Sequence, residues 1–384
     1  MTITDSAGNS ADIARARQLV LRYGWNAVCF QILNPGFTYW FSPEKEAVVG
    51  YVRKSRRRIR VVGGGPICPE ERLPEVVRLW EAEARRAGDT VCYLGAADRL
   101  GEILKTERFS APHVSVTLGA QPIWNPQRWP EIIAAQSSLR QQIRRAVNKK
   151  VRVEEWETGR AGASAELRQC LEGWLNARNL PPLRFLAEPH TLDSLEGRRV
   201  FVAVQTTAPN SRVVGFLVAS PIARRDGWLF EQVIRCTDAP NGTAESLIDT
   251  AMRTVAADGA QYVTLGLVPL TQHGTETSGE GNNPLWLRLV ITWIRAHGRR
   301  FWNFDGLEAF KAKFQPESWE PIFAIVNQRR FSPRVLLGIA QAFHPEAEHI
   351  SAPQALGHIL TDALSQEWRR FRSPKENMKA VKSR

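Results

Sequence analysis

Residues 228–267 constrain the fold more than any other stretch. Residues 228–234 are β-branched and apolar and read as a strand. Asp238-Ala-Pro-Asn-Gly242 is a turn cluster. Thr243 stands where a helix N-cap is expected, with Glu245 and Ser246 in the first turn. Leu247, Ile248, Ala251, Met252 and Val255 then recur at helical spacing, and Gly259 stops the helix. Residues 262–267 read as the next strand. Strand, small-residue loop, helix and strand follow one another, which points to an α/β class. The loop amides at the helix start carry the positive end of its dipole and suit a phosphate or another anion. An ordinary helix cap explains the same residues.

The rest of the chain keeps the alternation. Residues 13–22 predict a first helix, and 28–32, 37–41, 47–53 and 59–62 predict short strands. Residues 73–87 form an amphipathic pattern ended by Gly88. A strand is expected over 90–94, a helix over 97–106, a strand over 114–118, and mostly helix over 132–149. Residues 163–177 open a second half as a helix, and 200–204 with 213–221 form a strand pair. No repeat is visible at the sequence level, although the element order of the two halves is similar. Residues 272–281 form a polar, glycine-rich loop suited to a lid, closed by residues 282–284.

Charge narrows the partners. The 384 residues carry a formal net charge of +12, which calls for an anionic partner, nucleic acid or anionic lipid. Arg140, Arg144, Arg145, Lys149, Lys150 and Arg152 form the longest basic run. Read as a helix, Arg140, Arg144 and Arg145 share one face while Leu139, Ile143 and Val147 line another. Such a stripe follows a phosphate backbone, or is simply a solvated face. A second run lies at residues 55–60. A third lies in the C-terminal residues 368–384, which fit an anionic membrane surface or a frayed terminus. No run approaches the roughly 18–20 apolar residues of a membrane-spanning helix. A cytoplasmic protein, free or peripheral at the inner membrane face, is the expectation. The five cysteines are widely spaced, which argues against disulfides and a zinc site. Cys236 adjoins the 238–242 loop but has no histidine near it in sequence, so a loop residue is expected there, not a nucleophile.

A second dense block runs from Trp302-Asn-Phe-Asp-Gly306 through Phe310-Lys-Ala-Lys-Phe314 to Trp319-Glu-Pro321. Together with Asp238-Ala-Pro-Asn-Gly242 and Leu265-Gly-Leu-Val-Pro-Leu270 it resembles the C-terminal catalytic domain of bacterial aminoacyl-phosphatidylglycerol synthases. Tyr23-Gly-Trp25, Tyr39-Trp-Phe-Ser42, Val61-Val-Gly-Gly-Gly-Pro-Ile67 and residues 140–153 follow the family's order, so the resemblance covers roughly residues 13–345. It implies two tandem GNAT-like acyltransferase domains with mixed sheets flanked by helices, facing a shared tunnel. Their expected bounds are 13–155 and 160–345, with a basic extension over 346–384. It also implies transfer of an amino acid from aminoacyl-tRNA to the hydroxyl of an anionic phospholipid such as phosphatidylglycerol, with no metal or organic cofactor. The family's transmembrane flippase region is not in this sequence, so a separate membrane flippase is an expected partner.

Ester-to-hydroxyl transfer asks an enzyme to hold the hydroxyl against the carbonyl, take a proton and stabilise an oxyanion. Lys311 and Lys313 suit the oxyanion or a phosphate. On a strand they share a face and on a helix they diverge. Lys313, between Phe310 and Phe314, is expected to be the more buried, with solvation the alternative for Lys311. On the family's account Lys313, Asp238 and Arg235 are the catalytic candidates. Asp238 and Asn241 suit the α-amino group or the ribose, beside Gly242. Arg235 holds a phosphate or pairs with Asp305. Glu231 is a candidate recogniser of a cationic amino acid side chain. Its neighbour Gln232 occupies a position that is acidic in many relatives. Three alternatives remain: a soluble aminoacyl-tRNA-dependent transferase acting on a small metabolite, an acyl-CoA-dependent GNAT acetyltransferase, and a non-catalytic binding module. The acetyltransferase lacks its usual glycine spacing around Gly242, and residues 61–66 lack the Gly-Lys-Ser/Thr end of a P-loop.

Overall fold

The computed structural model describes residues 4–177, 184–207, 210–271, 273 and 304–343, without the side chains of residues 4–9, 55, 207, 210, 304 and 305. Contacts divide the chain into a unit of Met1–Phe343 and a second unit of His344–Arg384. The basic tail, the 272–281 loop, residues 282–284 and the side chain of Asp305 lie outside the described residues.

The first unit is built on one sheet of twelve strands. They are β1 (Thr38–Phe41), β2 (Val48–Lys54), β3 (Ile59–Gly63), β4 (Thr90–Ala97), β5 (Val114–Trp124), β6 (Val151–Trp156), β7 (Arg199–Thr207), β8 (Asn210–Ile222), β9 (Gly227–Arg235), β10 (Tyr262–Thr264), β11 (Val268–Pro269) and β12 (Ser318–Val326). Their spatial order is β1-β2-β3-β4-β12-β5-β10-β9-β8-β7-β6, with β11 on β5. Helices are α1 (Thr4–Tyr23), α2 (Leu73–Arg86), α3 (Asp98–Thr106), α4 (Trp129–Ala135), α5 (Ser137–Asn148), α6 (Thr158–Ala163), α7 (Ala165–Asn176), α8 (Thr243–Ala257), α9 (Phe304–Ala312) and α10 (Pro333–Phe343).

Among the described residues, two neighbouring strand pairs run parallel, β3 with β4 and β9 with β10. A parallel pair needs a crossover, and one helix supplies it each time: α2 in the first half, α8 in the second. So each half is an antiparallel meander followed by a strand-helix-strand crossover, and the two halves are joined through β5, β10 and β12. β12, late in the chain, lies between β4 and β5 of the first half.

Apolar spacing explains the layers. Leu73, Val76, Val77, Trp80 and Ala84 put one face of α2 into the core against Val62, Val91 and Tyr93. Leu247, Ile248, Ala251, Met252 and Val255 do the same for α8 against Phe201, Leu217 and Phe230. On β8, Leu217 packs into that core while Phe216 points to the opposite layer with Leu167 and Leu171 of α7. Each such buried aliphatic or aromatic side chain contributes about 1.5–3 kcal/mol.

Several expected elements change. Residues 28–32 are no strand: Phe30–Leu33 form a 3-10 turn with all four residues buried. An apolar run buried on all sides carries no period-2 signal to separate the two conformations. Thr243 is the first helical residue of α8, not its cap. Gly242 holds the cap position at φ +93°, and Thr243 donates its hydroxyl to the Pro240 carbonyl at 2.7 Å. The strand expected over 262–267 ends at Thr264, because Gly266 turns the chain at φ +75°. β6, β12 and α10 were not legible in the sequence.

Candidate active site

The two halves open where their parallel strands part. In the second half, β9 and β10 pair only over Gly227–Leu229 and Tyr262–Thr264. Beyond that, β9 continues to Arg235 while the other strand turns away toward β11, which pairs with β5. Glu231 is the extra residue of a β-bulge: Val218 faces Gln232 and Ala219 faces Phe230. Bulges re-aim side chains and recur beside active sites.

Lys311 closes this wedge. Its Nζ donates to the carbonyls of Leu265 at 2.7 Å, Gly266 at 2.8 Å and Leu267 at 3.1 Å. Three ammonium protons meet three acceptors that the turn removed from the ladder. The side chain is buried, and burial pushes its pKa down to about 7. The expectation that Lys313 is the more buried lysine is therefore corrected. α9 is a helix, so positions 311 and 313 diverge, and Lys311 takes the inward face. Lys313 is about a third exposed, donates to Glu245 at 2.5 Å and lies over the Phe310 ring at 4.2 Å.

Glu231 sits in a buried polar network. Its Oε1 accepts from Arg198 Nε at 2.6 Å and from Ser220 Oγ at 2.7 Å, and its Oε2 accepts from Gln31 Nε2 at 2.8 Å. Arg198 also donates to the Ser194 carbonyl and to Asn34 Oδ1, and its guanidinium lies over the Phe30 ring. Gln31 and Asn34 come from the first half, so this cluster ties the halves together. Gln232 accepts from Thr191 Oγ1 at 2.6 Å and donates to the carbonyls of Glu188 and Pro189.

The loop that follows β9 is held against the basic helix. A Cβ on Gly242 would stand 2.0 Å from the Gln142 carbonyl of α5, so only glycine admits this contact. Asn241 is exposed beside it, and Arg235 is exposed at the end of β9. Asp238 pairs with Arg212, and that bond holds its carboxyl below the usual range. Arg144 and Arg145 of α5 are exposed, as are Lys149 and Lys150 just past its end. Arg140 instead caps the end of α4, donating to the Ile133 and Ala134 carbonyls. Val147 is 58% exposed, against the expectation that it lines the apolar face; Ala146 fills that place because 146 and 142 face α8. Cys236 is half-buried, with Sγ 3.6 Å from the Val213 carbonyl. The structure thus gathers Arg235, Asp238, Asn241, Gly242, Glu245 and Lys313 around the start of α8, and leaves Glu231 and Gln232 inside the wedge.

A further cluster escaped sequence reasoning. Arg225 forms a two-pronged pair with Glu320, at 2.5 and 2.9 Å. Tyr262 donates its hydroxyl to the same carboxylate at 3.1 Å, and Gln121 Nε2 donates to the Tyr262 oxygen at 3.0 Å. The Arg225 guanidinium stacks on Tyr262 and on Trp25, and Arg99 covers Trp25. Beside it, Trp25, Asn26, Gly64, Gly65, Arg99 and Leu100 line a cleft where β3 and β4 part. Trp25 and Glu320 lie in the motifs quoted above, but nothing local marked Arg225. No group of three or more His, Cys, Asp or Glu side chains suited to a metal occurs among the described residues, and no described helix is long and apolar enough to cross a membrane.

Comparison with known proteins gives the architecture a context. The C-terminal domain of a lysylphosphatidylglycerol synthetase from Agrobacterium fabrum superposes with a TM-score of 0.69 at 23% identity, over 87% of this chain and 96% of that one. L-PGS from Bacillus licheniformis gives 0.68 at 16% identity, over 86% and 96%. FemX gives 0.54 at 10% identity, over 88% and 98%. At these identities the likeness establishes the fold. No curated protein matches the chain. The family model described as "Phosphatidylglycerol lysyltransferase, C-terminal" matches residues 17–326, and the chain belongs to that family of aminoacyltransferases.

Proposed function

We propose that this protein moves an amino acid from aminoacyl-tRNA to a hydroxyl of an anionic phospholipid, with phosphatidylglycerol as the acceptor. The observation that carries this reading is the seating of the 238–242 loop on α5, which sets exposed Arg144 and Arg145 on the helix that abuts the start of α8. A tRNA acceptor arm tracked by the exposed cations of α5 would bring its 3′ ester toward Asn241 and Lys313. The alcohol oxygen adds to the ester carbonyl, its proton leaves, and the ribose hydroxyl departs carrying a proton. Lys313, already charge-paired with Glu245 and partly exposed, supplies positive charge to the oxyanion or the lipid phosphate, with Arg235 as its companion. Asp238, held ionised by Arg212, suits orientation of the α-amino group or ribose better than proton abstraction. Lys311 acts through the backbone, fixing the 265–267 turn that edges the site. Its domains follow the two halves, residues 13–155 and 160–345, and it works at the inner face of the cytoplasmic membrane beside a separate flippase.

The test is a transfer assay with tRNA charged with labelled amino acids and phosphatidylglycerol vesicles. Label entering the lipid fraction supports the reading, while tRNA deacylation without lipid labelling redirects it to a soluble acceptor. Lys313→Ala should lower kcat by about 100-fold or more, the usual size of a lost oxyanion contact. Unchanged turnover in that variant would remove Lys313 from the chemistry.

A further inference from the structure

We infer that the transferred amino acid carries an uncharged side chain, because Arg198 has withdrawn Glu231, the wedge carboxylate among the described residues, from recognition. The inference rests on the function proposed above and specifies its donor.

A lysyl ammonium or arginyl guanidinium taken out of water needs a carboxylate to offset its desolvation. Glu231 is the acidic residue placed for that task, at the bulge where β10 leaves β9 unpaired. Yet both of its oxygens are already taken, by Arg198, Ser220 and Gln31. The side chains of Arg198 and Glu231 are 1% and 9% exposed, so the pair is neutral as a unit and shielded from salt. A second cation brought here would meet the Arg198 charge as well as the Glu231 charge. Gln232, next on the strand, is uncharged and committed to Thr191 and to two main-chain carbonyls. Glu188 turns its carboxylate to the His190 amide. The acids on the other side are likewise paired: Asp238 with Arg212, Glu245 with Lys313, Glu308 with His273. Lys311 meets only carbonyl oxygens there, and Arg235 stands exposed at the end of β9. Among the described residues each of these acids is thus already engaged, which leaves none to offset a cationic donor side chain and disfavours such a donor.

The experiment presents the full chain with alanyl-, seryl-, lysyl- and arginyl-tRNA separately, each with phosphatidylglycerol vesicles. The uncharged donors should exceed lysyl and arginyl donors in kcat/KM by about tenfold or more, the effect of one unoffset charge contact. Gln232→Glu, which adds a carboxylate beside the pair, should shift the lysyl-to-alanyl ratio upward by about tenfold. Arg198→Met, checked for folding by its thermal melt, should shift it the same way by freeing Glu231. Lysyl or arginyl transfer equal to or faster than the uncharged donors overturns the inference and leaves the proposed function standing. Transfer from no donor at all brings down the proposed function, and this inference with it.

Discussion

The two crossovers of this molecule share a topology and differ in what plugs them. In the first half β3 and β4 part after Gly63 and Leu94, and the gap is filled by a neutral amide. Asn26 donates its Nδ2 to the carbonyl of Gly95 at 2.9 Å and accepts from the Val28 amide through Oδ1. In the second half the gap is filled by the Lys311 ammonium on three carbonyls and by the Arg198–Glu231 pair. Backbone geometry alone asks for a polar plug at each wedge, since a parted parallel pair leaves main-chain groups unpaired. It does not ask for charge. Arg99 lines the first cleft as well, but among the described residues only the second wedge bonds a charged group to its freed carbonyls, a cost that stability does not explain, which is why the second wedge is read as the working site.

That contrast can be broken by substitution. The largest expected effect is at the buried pair. Arg198→Met leaves Glu231 uncompensated and should cost about 3–5 kcal/mol in denaturant unfolding, while Arg198→Met with Glu231→Gln together should recover most of it. A double variant as unstable as the single one would mean that Arg198 acts by packing on Phe30.

Next comes Lys311. At pH near 9.5, Lys311→Met should cost about 2–3 kcal/mol, because buried carbonyls lose their donor. The pH dependence has a definite sign. An unfolded lysine titrates near 10.5 and burial brings Lys311 to about 7. Between those values the unfolded chain holds more protons, so the contribution of Lys311 to stability rises with pH, by up to about 1.4 kcal/mol per unit. The gap between wild type and variant should therefore narrow as the pH falls toward 7. A gap of constant size from pH 7 to 10 would show that Lys311 titrates elsewhere.

The smallest effect belongs to the first wedge. Asn26→Ala should cost about 1–2 kcal/mol, should show no pH dependence between 7 and 10, and should leave the donor preference of transfer unchanged. A changed donor preference would erase the distinction between the halves.

Much of the scaffold was open to local reading. Helical spacing marked α2 and α8, and the turn cluster 238–242 marked the loop on which the site is built. Position 311 was not legible. Two lysines separated by one residue give no local signal for burial, and the partner carbonyls lie some 45 residues away in sequence. β12 was missed for a related reason: its outer residues, Ser318, Trp319 and Glu320, look like loop until β5 is present to pair with them. Arg225 carries no motif, and its pairing with Glu320 bridges 95 residues of sequence.

The sequence by itself determined the alternation of strands and helices, the basic run of α5 and the turn cluster that precedes α8. These follow from periodicity, composition and backbone conformation, all short-range properties. The tertiary structure alone decided which lysine is buried, and that Glu231 is answered by Arg198 instead of standing free. Those outcomes depend on which groups lose water together, and that is settled only when distant strands meet.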